Sequence, residues 1–252
     1  MENTNRHYFF LDEDYKYTDQ KTGLLRNLRN ITNAVDLVFF EHSKSSAQIE
    51  MLEKNPISVA NHKDILTTHY AIFKDVYPFA GQPREVIIQK QGTPFAKPEE
   101  FEDRFKLIDK LISEYKKISL TQPELKIKLA ISEKLAEIIN AINWTHCFRE
   151  GNGRTQRTVA TSLAFEYGYE LQINVDKDTS TYQRYFAGTA EKDNDILASV
   201  IYDSLTFHPS LRKTIPENPI QKYFKLLNPK KLMLILKGKF FISKNSSITN
   251  SK

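Results

Sequence analysis

One cysteine, Cys147, stands in the whole chain, which excludes an intrachain disulfide and fits a reducing compartment, the cytoplasm first. Glycine is scarce at 8 of 252 residues, and the longer segments lack the strict apolar–polar alternation of half-buried strands. A mostly α fold is therefore expected. No apolar stretch follows a basic start and none approaches the roughly 20 residues a span needs, so neither a secretory leader nor a transmembrane helix is expected. A basic body is missing as well. The net charge of +5 is concentrated: residues 209–252 hold ten Lys or Arg and one Glu, which leaves residues 1–208 at −4. That balance offers no general nucleic-acid surface and describes a globular body with a basic tail.

What is present is a series of helical patterns, with 40% hydrophobic residues, enough for a substantial core. Residues 1–23, aromatics among acids, read as an arm packed over the domain edge. Leu24, Leu28, Ile31, Val35 and Val38/Phe39 are three or four apart and predict a helix over 24–53, closed by Asn55-Pro56. Asn61 is a natural N-cap for a helix reaching Phe73. Two prolines and a glycine make residues 75–84 a loop. Residues 85–89 and 93–96, around Gly92, predict a short hairpin with an unpaired edge. Further helices are expected over 99–115, 124–143, 155–167, 179–187 and 193–205. From Pro209 the prolines and lysines multiply around a short apolar run at 232–236. The division is thus an arm at 1–23, a domain at 24–208, and a basic extension at 209–252. That extension reads as a packed strand or helix, the start of a further module or a disordered end, and a basic tail can also serve docking or translocation.

The densest chemistry lies in residues 146–157, His-Cys-Phe-Arg-Glu-Gly-Asn-Gly-Arg-Thr-Gln-Arg. A Gly-rich turn between two helices places unpaired N–H groups and the positive end of a helix dipole where an anion binds. Gly151 and Gly153 let the main chain turn and approach a ligand, Asn152 adds an amide, and Arg154 and Arg157 suit phosphate oxygens. Glu150 beside such a site implies a cation between carboxylate and phosphate, most simply Mg²⁺. His146 is the side chain of the right type for a general base near neutrality. His62 and His69 are seven apart, but no acid or cysteine beside them completes a metal set.

The order of these residues resembles the signature of the Fic family, His-x-Phe-x-(Asp/Glu)-Gly-Asn-Gly-Arg-x-x-Arg. Cys147 stands where that family commonly has Pro. A second segment, Val76-Tyr77-Pro78-Phe79-Ala80-Gly81-Gln82-Pro83-Arg84, is similar to the family's (Leu/Val)-Tyr-Pro-(Trp/Phe)-Ala-Gly-x-x-Arg. The resemblance covers about residues 24–205. It implies a helical bundle with a β-hairpin flap, and a bacterial toxin or effector type of enzyme moving AMP from ATP to a Tyr, Thr or Ser hydroxyl of a protein, with pyrophosphate leaving. His146 would be the base, Glu150 the Mg²⁺ ligand, Gly151, Asn152 and Gly153 the α-phosphate cradle, and Arg154 and Arg157 the holders of the outer phosphates.

Tyr182 and Tyr185 would lie at the adenine slot, and Val86, Ile87, Ile88 and Gln89 would form the flap strand that docks the target by strand addition. Gly153, where phosphate-transferring relatives carry Lys, favours AMP; UMP, phosphocholine or phosphate transfer remain the alternatives within the family. A binding module that kept the fold without catalysis is the alternative outside it. Inhibition would come from Ser46 and Glu50 in a degenerate (Ser/Thr)-x-x-x-Glu motif reaching Arg157, or from a separate small antitoxin-like protein. The place of action is the cytoplasm of the producing cell or of a recipient cell.

Overall fold

The computed structural model describes residues 8–10, 15–90 and 93–211. In chain order the regular elements are β1 (Tyr8–Phe10), α1 (Ala34–Lys54), α2 (His62–Phe73), β2 (Ile88–Lys90), β3 (Thr93–Pro94), α3 (Phe101–Tyr115), α4 (Glu124–Thr145), α5 (Asn152–Glu166), β4 (Tyr169–Leu171), α6 (Ser180–Ala190), α7 (Asn194–Ser204) and β5 (Leu205–Phe207). The fold is mostly helical, as the periodicity implied. α4 is the axis: its Ile131, Leu135, Ala136, Ile138 and Ile139 are fully enclosed, and α3, α5 and α7 pack around it. A smaller core joins Leu52, Ile57, Ile72, Phe73, Val76, Tyr77 and Phe79 beneath α1 and α2. The arm contributes Tyr17, packed edge-on against Phe79, with its hydroxyl accepting from the Glu85 amide. Residues 212–252, with the expected tail and its apolar run, lie outside the described residues, as does Gly92.

Helix starts follow their caps. Asn61 and Asp64 form a reciprocal capping box on α2, and Thr179 and Asp193 cap α6 and α7. The expected helix over 24–53 is corrected at its start. Asn27 folds residues 25–31 into a loop, its amide donating to the Leu25 and Ile31 carbonyls while its oxygen accepts from the Ile31 amide. Asn33 then caps α1. Its buried face is corrected too. Val35, Val38 and Phe39 point to solvent, and the inward face is Leu37, Ser45 and Leu52. α1 is turned this way because its polar strip meets an arginine on α5, described below.

The hairpin is shorter than expected, with Gln89 opposite Pro94 and Lys90 opposite Thr93, and Val86 and Ile87 precede the strand. Its edge is not open either. β1 pairs antiparallel with β2, Tyr8 against Lys90 and Phe10 against Ile88, which makes β2 the middle strand of three. A second small sheet, β4 with β5, closes the far end of α5 and has no counterpart in the sequence reading. Among the described residues, no helix is long and apolar enough to cross a membrane.

Candidate active site

α4 ends on His146, which takes the left-handed conformation at φ 45° and ψ 48°. Few residues other than glycine sit there without constraint. The ring is held by Asn143, whose carbonyl lies 3.1 Å from Nδ1, and by Phe95, stacked at 3.8 Å between centroids. A carbonyl can only accept, so Nδ1 carries the proton and the neutral ring has its lone pair on Nε2.

The loop after His146 is closed by Asn152. Its oxygen accepts from the Phe148 amide at 3.0 Å and its nitrogen donates to the Phe148 carbonyl at 2.7 Å. Asn152 thus shapes the loop, a duty its sequence context does not reveal. Gly151 lies at φ 79°, and a Cβ there would come within 2.3 Å of the Phe73 ring, so no other residue fits. Gly153 is different from expectation: it is already inside α5, where a Cβ would meet Arg157 Nη1 at 3.4 Å. Only the first glycine makes the turn.

His69 ties α2 to this loop. Its Nδ1 accepts from the Gly81 amide at 2.7 Å and its Nε2 donates to the Glu150 carbonyl at 3.0 Å, while its ring stacks on Phe148 at 3.8 Å. Burial pushes its pKa down to about 3, so it is neutral. The histidine pair seen in the sequence is split: His62 pairs with Asp109 and stacks on Phe105.

At the start of α5, Arg154 lies over the Phe73 ring at 4.7 Å, donates to Ser45 Oγ at 2.9 Å and pairs closely with Glu41. Glu150 is 3.7 Å from the same guanidinium and also accepts from the Gly151 amide. Glu41 is therefore the α1 carboxylate that reaches a motif arginine. Glu50, expected to do so with Ser46, is exposed and paired with Lys54 one turn away, and Ser46 is exposed as well. The register of α1 decides this: the face carrying Glu41 and Ser45 is turned inward. Arg154 and Arg157 line a cleft of about 500 Å³ between α1, α5 and the segment after β4.

Tyr185 is buried, its hydroxyl accepting from Gln156 Nε2 at 2.7 Å, so it packs α6 onto α5 and does not offer a ring face to a ligand. Tyr182 is half-buried and stacked against Phe186. Cys147 is enclosed, and burial pushes its thiol up to about 12, which removes it from nucleophilic chemistry. Glu41, Ser45, Phe73 and Phe95 reach the site from distant parts of the chain, and no sequence signal placed them there.

A helical bundle with a histidine at a left-handed helix end, a Gly-Asn-Gly turn and two arginines near a helix N-terminus has counterparts among known proteins. A sequence model of the Fic/DOC family matches residues 59–164. The probable protein adenylyltransferase y4lH of Sinorhizobium fredii is 34% identical over 151 residues, covering 60% of this chain and 75% of that protein. The protein adenylyltransferase VbhT of Bartonella schoenbuchensis is 29% identical over 197 residues, 75% of this chain, and the match spans 39% of VbhT's length. Among solved structures, BepC of Bartonella tribocorum, crystallised with AMPPNP, superposes with a TM-score of 0.65 at 15% identity, over 77% of this chain and 98% of that one. The chain belongs to the Fic/DOC family.

Proposed function

We propose that this protein is a protein adenylyltransferase, moving AMP from ATP to a Tyr, Thr or Ser hydroxyl of a target protein. The observation that carries the reading is the fixed tautomer of His146 beside the N-terminus of α5. The target hydroxyl oxygen attacks the α-phosphorus, its proton passes to His146 Nε2, and the bond to the bridging oxygen breaks so that pyrophosphate leaves with the electron pair. The first-turn amides of α5 and the Arg154 and Arg157 guanidiniums supply positive charge where phosphate charge develops. Arg154 reaches the phosphates by sharing or leaving Glu41.

Mg²⁺ is implied by the family. Among the described residues no three His, Cys, Asp or Glu side chains cluster as a metal site, and Glu150 is the motif carboxylate that would hold the ion. One carboxylate plus phosphate oxygens and water is an ordinary Mg²⁺ environment, so the residues fit. Held by Glu150, the ion would supply positive charge that offsets the charge of the phosphates.

The flap would take the target by main-chain pairing. Because β1 already pairs with β2, a target strand either displaces Tyr8–Phe10 or joins an outer strand. AMP is favoured over phosphate as the transferred group because position 153 is Gly, where the family's phosphate-transferring members carry Lys. The test is purified protein with Mg²⁺ and a cell lysate, given ATP labelled at the α- or the γ-phosphate. Label should enter protein from α-labelled ATP only, and His146→Ala should lower it by about 10²–10⁴-fold. Label from γ-labelled ATP alone would replace this reading with phosphorylation.

A further inference from the structure

Among the described residues Arg84 is the largest fully buried side chain, and the hydrogen-bond partners found for its guanidinium are main-chain carbonyls. Nε donates to the His146 carbonyl at 2.8 Å, Nη2 to the Ala96 carbonyl at 2.6 Å, and Nη1 to the Val86 carbonyl at a short contact. Its own amide donates to the Cys147 carbonyl at 2.7 Å, and its charge lies 5.0 Å from the centre of the Phe101 ring. A buried cation is costly unless its donors are satisfied, so a position that keeps one is using its geometry. The geometry here is specific. One rigid fork touches three places: the carbonyl of the base and the two ends of the flap hairpin.

We infer that Arg84 is a positioning residue for AMP transfer, holding the His146 main chain in its left-handed turn and fixing the flap to that same carbonyl. This rests on the adenylyltransferase reading of the site. Left-handed backbone at a residue other than glycine persists only where neighbours over-determine it. At His146 those neighbours are the Ile142 carbonyl, which takes the backbone N–H, the Asn143 carbonyl and Phe95 on the ring, and Arg84 on the carbonyl. Phe95 is itself on the flap, just after β3 and one residue before the carbonyl that Nη2 binds. Arg84 thus sets the ring's backbone and the ring's stacking partner together. Lysine has the charge but not the fork, and cannot satisfy three carbonyls in these directions.

The experiment compares wild type with Arg84→Lys and Arg84→Gln, alongside Tyr167→Phe as a control. Tyr167 donates to the Tyr115 carbonyl at the opposite end of α5, so its loss lowers stability away from the site. Measured are kcat and KM for ATP in the transfer assay, the thermal midpoint, and the His146 Cε1–H resonance by NMR, assigned through His146→Ala. The inference expects kcat to fall about 10–100-fold in Arg84→Lys with KM for ATP within about threefold, because a misplaced base slows chemistry without removing the phosphate site. The His146 resonance should shift or broaden, and Tyr167→Phe should keep both. An unchanged resonance in a folded Arg84→Lys overturns the inference, as does an unchanged kcat. Unfolding of both Arg84 variants also overturns it, since the residue then serves the fold alone. If wild type transfers no AMP, the functional reading fails while the resonance still decides the role of Arg84.

Discussion

The Asn143 carbonyl at His146 Nδ1 holds the ring proton on that atom, which leaves Nε2 as the nitrogen that would serve as the proposed base. Around it, single residues do unadvertised work. Glu41 and Ser45 hold Arg154 from α1, so the arginine that would grip phosphate is already engaged. Glu41→Gln keeps the shape and removes the charge. Apparent ATP affinity by calorimetry should then rise about fivefold, as a competing charge-assisted bond of about 1 kcal/mol is lost. Glu50→Gln, which touches only the exposed Lys54 pair, should leave affinity unchanged. Equal affinity in Glu41→Gln and wild type would assign the Arg154 pair to the fold and not to the nucleotide. The motif residues were legible because their chemistry is written consecutively from His146 to Arg157. Glu41 was not, and Arg84, visible as the end of the second motif, gave no sign of its His146 partner, since these partners are 113 and 62 residues away and only packing brings them together.

Among the elements, α2 and the flap carry the consequences. His69 joins α2 to the motif loop as a neutral ring. An unfolded histidine takes its proton near pH 6.5, whereas the folded one holds out to about 3. Between those values the unfolded chain binds more protons, so stability falls as pH drops through that window, by up to about 1.4 kcal/mol per pH unit for this group. Carboxylates add their own acid dependence, so the check is a difference. Denaturant unfolding of His69→Gln should show a shallower loss than wild type between about pH 6 and 4; parallel curves would contradict the neutral assignment.

For the flap, deleting residues 1–14 removes β1 and bares the β2 edge. Label transfer to lysate proteins should increase severalfold if that edge docks the target, and stay level if docking uses an outer strand. The helices from α2 to α7 were readable to within a few residues, because long amphipathic periods and caps are local. α1 was misread because the Leu24–Phe39 apolar spacing continues across a loop that Asn27 builds with its side chain. β1, β4 and β5 went unread because three residues are too short to show a period.

At the scale of the whole molecule, two cores meet at the motif loop. The α4 core supplies His146 and Phe148, and the smaller core supplies Phe73, under Gly151 and Arg154. The site is therefore an interface between packed layers, which is how a turn with a left-handed histidine stays fixed. In the proposed reaction this fixed turn moves AMP to protein and releases pyrophosphate. The most direct measurement counts both products in one reaction, with wild type and His146→Ala, using a target purified from the labelled lysate fraction. One pyrophosphate should be released for each AMP bound to protein, with both lost together in the variant. Pyrophosphate absent while label is transferred, or label undiminished in His146→Ala, would contradict the proposed reaction.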